Sequence, residues 1–174
     1  MGDSLISVVA IILAAVLIFV LPVMAMANRQ DNILKSTVQT ATDEFVDEIK
    51  TTGKLTEEKY NKFLQNIGST GNIYESQMEI KKLDENQSKK TLQTETDKIG
   101  ENLYYTLYNS QIDQALKDNK GVYKLQEGDI ITVTVKNTNL SAAQQIANQI
   151  YKVFGNNTYT IMASAGGMVT TTAK

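Results

Sequence analysis

The sequence predicts a long N-terminal transmembrane and amphipathic helix followed by a small α+β domain with a three- to four-stranded sheet and two or three helices. Three observations predict it. An apolar run from Ser4 to Asn28 carries no charge. A stripe of apolar residues at helical spacing extends that run as far as Ile49. The last third reads strand, helix, strand, and an alternating segment at 73–83 can share its sheet.

The opening run comes first. Leu5 to Ala27 is about 23 residues, or about 34 Å as a helix, slightly more than the roughly 30 Å hydrocarbon core of a bilayer. A secretory signal has a basic start and a shorter apolar core. Here the start is Met-Gly-Asp-Ser, without Lys or Arg, so residues 1–27 are expected to be a retained anchor. Ala25-Met26-Ala27 does match a small-residue cleavage pattern, which makes release after Ala27 the competing expectation. Leu5, Val9, Ile12 and Val16 repeat at helical spacing and are expected to pack against lipid or another helix. Pro22 lacks an amide donor and clashes with the preceding turn, so a kink or a helix end is expected there.

Residues 28–52 are expected to continue the helix in amphipathic form, with Leu34, Val38, Ala41, Phe45 and Ile49 on one stripe. Gly53 suits a left-handed stop. Residues 53–174 then form the domain. Thr56 caps a helix that begins with Glu57 and Glu58 and buries Tyr60, Phe63, Leu64 and Ile67, with Gly68 closing it. Residues 73–83 alternate as a half-buried strand, with Tyr74, Ser76, Met78 and Ile80 on one face. The polar run 84–98 reads as an exposed loop. The spacing of Ile99, Leu103, Leu107, Ile112 and Leu116 suggests helix, with Tyr104, Tyr105 and Tyr108 at a core edge or an interface. Glu127-Gly128-Asp129 turns into the strand IITVTVKN. Ser141 caps a helix whose buried face is Ile146, Ile150, Val153 and Phe154. A final strand follows, with a hinge at Gly166-Gly167.

Composition narrows the chemistry. The 174 residues include no Cys, His or Trp, which removes disulfides, thiolate metal sites and Cys- or His-based catalysis. Nucleotide-binding and nucleophile-elbow motifs are absent from the sequence, and the acids at Asp84-Glu85 and Glu95-Asp97 do not match a calcium loop. The net charge is −2, and Lys81-Lys82 and Lys89-Lys90 are the densest basic pairs, with acids close by. Nucleic-acid binding is therefore not expected. Neither is enzymatic activity, a cofactor or a metal.

The run MGDSLISVVAIILAAVLIFVLPVMAMANRQDN, followed by TTGKLTEEKYNKFLQNIGSTGNIYESQMEI, resembles the TadE-like single-span proteins of Gram-positive Flp/Tad pilus clusters, within the wider type IV pilin-like group. The likeness covers mainly residues 1–83. It implies a structural or assembly subunit held in the bacterial cytoplasmic membrane by its first helix, with the domain outside the cell. Processing in such systems follows a glycine, and Gly2 is the matching position. The chain departs from the pattern in having no basic residue in its leader, and Ser7 where many relatives carry a glutamate. Arg29 and Lys35 follow the span with no basic residue before it, which by the positive-inside rule would keep the domain in the cytoplasm. The mixed charges after the span and the Thr-, Asn-, Gln-, Ser- and Tyr-rich composition favour an extracytoplasmic domain.

Two functions follow as expectations. The first is a pilin-like subunit whose partners are the lipid bilayer and either its own copies or other pilin-like subunits, multimerising through residues 5–50. The alternative is a signal-anchored extracytoplasmic domain that recognises a ligand or cell-surface component through the 84–98 loop.

Overall fold

The computed structural model describes residues 2–83, 104–139 and 162–173, together with the helical residues Gln145, Asn148, Gln149 and Lys152. The 84–98 run, the helical face Ile146, Ile150, Val153 and Phe154, and the positions Ile99 and Leu103 lie outside the described residues.

Helix α1 runs unbroken from Gly2 to Thr52, about 76 Å at 1.5 Å per residue, and passes through Pro22 without ending there. It stops where the sequence provides a stop. Gly53 takes φ +64° and donates its amide to the Ile49 carbonyl at 2.8 Å. The Lys50 carbonyl, left without an intrahelical donor, accepts from the Thr170 amide at 3.0 Å, so the C-terminal tail ties off the helix end.

After α1 come β1 (Lys54–Thr56), α2 (Glu57–Gly68), β2 (Tyr74–Leu83), β3 (Tyr104–Tyr108), α3 (Asn109–Asp118), β4 (Val122–Lys124), β5 (Ile130–Asn137) and β6 (Met162–Met168). The Thr56 hydroxyl caps α2 by accepting from the Lys59 amide at 3.2 Å, as expected. Gly68 is the last residue of α2, and Ser69 in right-handed geometry is its C-cap. β1 pairs with β4 in a small antiparallel ribbon, while the main sheet has the order β3-β2-β5-β6 and is antiparallel throughout.

The alternation expected at 73–83 is present. Ser76, Met78 and Ile80 are buried, and across the ladder they face Val135, Val133 and Ile131 of β5. The same core takes in Phe45 and Ile49 of α1, Phe63 and Ile67 of α2, and Ile112 and Leu116 of α3. The helices therefore share one face of the sheet, while Glu75, Gln77 and Lys81 point to solvent on the other.

Two expectations are corrected. The stretch around Leu107 is a strand, and helix begins only at Asn109. Aromatic and β-branched residues in YYTLY fit a pleated edge, and β2 offers a partner from Glu79 to Leu83. Where β3 runs out, the Asn109 side chain replaces it, accepting from the Met78 amide and donating to the Ser76 carbonyl at 2.7 Å. Gly166 and Gly167 form no hinge; they lie inside β6, paired with Thr132 and Ile131. Their lack of a side chain serves close approach: a Cβ at Gly166 would lie 3.0 Å from the Ile131 carbonyl oxygen, and one at Gly167 would lie 2.8 Å from Cε of Lys50 on α1.

Candidate functional site

The feature that asks for a function is α1 itself, because its two halves have opposite surroundings. From Ser4 to Phe19 every residue is exposed; Val20 is the first half-buried position and Ala27 the first buried one. Between Leu5 and Met26, 14 large apolar side chains are exposed, Phe19 at 72% and Met26 at 74% among them. At about 1.5 kcal/mol for each such side chain withheld from water, leaving this surface wet costs on the order of 20 kcal/mol. That exceeds the whole net stability of an ordinary domain, roughly 5–15 kcal/mol. This half of the helix therefore needs a cover that the described domain does not supply. It is the one described helix long and apolar enough to cross a membrane.

The other half is domain core. Ala27, Asp31, Leu34, Val38, Thr42, Phe45 and Ile49 recur at threes and fours and turn inward, with Val38 and Ile49 fully buried. Below them β6 presents Ala163, Ala165 and Gly167, small residues that let the helix lie low on the sheet. Phe45 stacks on Phe63 at 4.5 Å between ring centroids, joining α1 to α2, and Lys59 of α2 reaches Glu48 at 3.1 Å. Threonines inside the helix satisfy their hydroxyls locally, Thr42 bonding back to the Val38 carbonyl at 2.7 Å.

Gln39 makes the most specific contact. Its side-chain amide donates to the Ser164 carbonyl at 3.0 Å and accepts from the Ser164 amide at 3.2 Å, occupying the place a further strand would take beside β6. It also donates to Asp43 at 2.9 Å. An edge strand is thereby partly closed by a side chain of the helix that crosses it. Gln39 and the small residues of β6 did not stand out in the sequence, although the alternation of MASAGG at period two was a readable sign.

The residues expected to form the anchor and packing surface thus fall into two groups. Leu5, Val9, Ile12 and Val16 are 68%, 48%, 59% and 50% exposed and free to meet lipid or another helix. Pro22 is exposed at the junction. Leu34 is half-buried, and Val38 and Phe45 are buried in the chain's own core, so any contact between copies in this half must use the opposite face of the helix. Of the two processing positions, Gly2 opens α1, whereas Ala27 is helical and 4% exposed. Scission after Ala27 would cut the helix where it starts to enter the core.

Elsewhere, polar groups in the fold do structural work. Asp129, buried at the turn that leads into β5, accepts from the Gln126 amide at 2.9 Å and lies 3.8 Å from Lys82. The same ammonium sits 5.4 Å above the Tyr123 ring. Burial, then the nearby Tyr105 and Asp129, push the Tyr123 hydroxyl up to about 12. Among the described residues no group of acids is placed to hold a metal ion. Comparison with protein-family models, with curated proteins and with solved structures finds no match to this chain.

Proposed function

We propose that the chain is a membrane-anchored, pilin-like structural or assembly subunit of a bacterial type IV filament system of the Flp/Tad kind, acting by helix packing and domain contacts. The observation that carries this reading is one unbroken helix, wholly exposed and apolar from Ser4 to Phe19 and built into the domain core from Ala27 to Ile49. A cleavable or loosely tethered anchor has no need of such continuity. A helix shared between bilayer and core holds the domain at a fixed angle and height, which is what ordered assembly requires. The resemblance of residues 1–83 to TadE-like proteins supports the same reading, and so does the lack of His and Cys chemistry. The domain lies outside the cytoplasmic membrane, where it meets copies of itself or related subunits.

The test uses the full chain in cell membranes. Photo-reactive residues at Ile12 and Val16 are expected to yield cross-linked dimers and higher multimers, and the protein is expected to resist alkaline carbonate extraction. Extraction into the soluble fraction, or a photoproduct pattern of monomer and lipid adducts alone, would refute the proposal.

A further inference from the structure

We infer that the turn from Ser69 to Ile73, between α2 and β2, is a second foothold of the domain on the lipid surface, with the Ile73 side chain set among the lipid headgroups. The inference rests on the membrane anchor proposed above and adds to it a contact made by the domain itself.

Contacts along α1 establish which end of the domain faces the membrane. Lys59 at the start of α2 reaches Glu48, Phe63 stacks on Phe45, and Asn66 and Ser69 flank the same groove as Ser36 and Thr40. α2 therefore runs antiparallel to α1, back toward the membrane, and ends at the level of Ser36. Ser36 lies about 12 Å along the axis from Asn28, where the uncharged run ends. The turn carries the chain further in the same direction before β2 leads it away. The sheet gives this direction independently. The Gln39 side chain meets Ser164 and the Lys50 carbonyl meets the Thr170 amide, so β6 runs beside α1 with Met162 at its membrane end. Across the ladder Met162 is level with Lys136 and Glu75, and Ile73 lies two residues beyond Glu75. Both routes bring Ile73 to within about 10 Å of the end of the span. Headgroups fill roughly the first 5–8 Å outside the hydrocarbon core, so the turn meets them.

The turn is built to hold an apolar group out at that level. Ile73 is 65% exposed, yet its backbone is held on both sides: its amide donates to Oδ1 of Asn139 at 2.6 Å, and its carbonyl accepts from the Thr138 amide at 2.8 Å. Pinned in this way, the residue cannot fold its side chain back into the core. Ile33 of α1 and Met162 are 60% and 49% exposed at the same end of the domain. Arg29, Lys35 and Lys136 are exposed there too; of the acids near them, Glu75 is exposed and Asp31 is buried. That balance suits anionic headgroups. β2 lies two strands in from β6, so Ile73 stands about 10 Å to the side of the strand on which α1 rests. A single span leaves a domain free to tilt and to rotate about it. A foothold set to one side restrains both motions.

The chain contains no cysteine, so single substitutions carry one label without background. Full-length I73C and E127C, each bearing an environment-sensitive fluorophore, are reconstituted into vesicles of phosphatidylcholine and phosphatidylglycerol that include lipids spin-labelled at the headgroup. Glu127 is exposed at the opposite end of the domain, just before β5. Quenching at position 73 is expected to exceed that at position 127 by about threefold or more, as for an apolar group settled in the interface. In a second pair, I73D is expected to lower the quenching of a label at M162C toward the E127C value. Ile73 and Met162 are both exposed, so these variants leave the core intact. Equal quenching at 73 and 127, M162C quenching unchanged by I73D, or a photo-reactive residue at 73 that captures protein in place of lipid would overturn the foothold. If the protein still floats with the vesicles in those cases, the anchor stands and only the foothold falls; if it does not float with them at all, both fall.

Discussion

Replacing Gly53 with alanine tests the joint through which α1 is fixed to the domain. Gly53 sits at φ +64°, a conformation that costs a residue with a Cβ about 1–2 kcal/mol. Sterics add to this. A Cβ there would press on the Thr171 carbonyl oxygen and lie 2.8 Å from the Ala173 amide nitrogen, both backbone atoms of the tail that ties off the helix. Moving that tail strains two hydrogen bonds, from the Leu125 amide to the Gly53 carbonyl at 2.8 Å and from the Ala173 amide to the Leu125 carbonyl at 3.1 Å. At about 0.5–1.5 kcal/mol each, they bring the expected loss for Gly53→Ala to about 2–5 kcal/mol, a large share of a typical domain's stability. Gly71 provides the control, since its φ is +83° but a Cβ there would meet open space, so Gly71→Ala should cost only about 1 kcal/mol. Urea unfolding of the full chain in detergent micelles, followed by circular dichroism, measures both. Equal losses for the two variants would show that the close contact at Gly53 does not hold the joint.

Three further outcomes are expected. Gln39→Ala should lower stability by about 1 kcal/mol by removing the clip on Ser164, and Gln39→Glu by more, because a carboxylate cannot donate to the Ser164 carbonyl and faces Asp43; a neutral Gln39→Glu would contradict the clip. Tyr123 keeps its proton in the folded chain above its ordinary value near 10, so its contribution is complete below pH 10 and is lost as the pH rises toward 12. The loss is on the order of 1 kcal/mol after allowing for its partial exposure, and Tyr123→Phe should flatten the decline in unfolding midpoint over that range. A cysteine placed at the exposed Glu75 should react with a membrane-impermeant thiol reagent in intact cells; protection until the cells are opened would put the domain in the cytoplasm.

The parts of the fold that were legible in the sequence are those where a periodic pattern coincides with a strong local signal. The uncharged run and the stripe from Leu34 to Ile49 specify α1, and Gly53 and Thr56 mark its stop and the next start, because left-handed geometry and an N-cap hydroxyl each favour few residue types. β2 and β5 alternate cleanly because one face is buried and the other wet. β3 was obscured because Leu103 and Leu107 imitate a helical step that leads into the true helix at Ile112; a five-residue strand is too short to outweigh it. β1 and β4, three residues each, have no period to read and exist through their pairing with each other. Of the candidate site, the exposed half of α1 was legible from length and lack of charge alone. The clip from Gln39 to Ser164 was not, since a glutamine among polar helix residues looks like any solvated position until the edge of β6 is known to lie beside it.

Retention of the apolar half of α1 in the membrane, packed against helices of other subunits, can be read from a photo-cross-linking scan of single positions from Ser4 to Phe19 in the full-length protein in cell membranes. Multimeric products are expected to rise and fall with a period near 3.6 residues, because one side of the helix meets protein and the other lipid. Uniform labelling by lipid at every position, with no multimer, would contradict it.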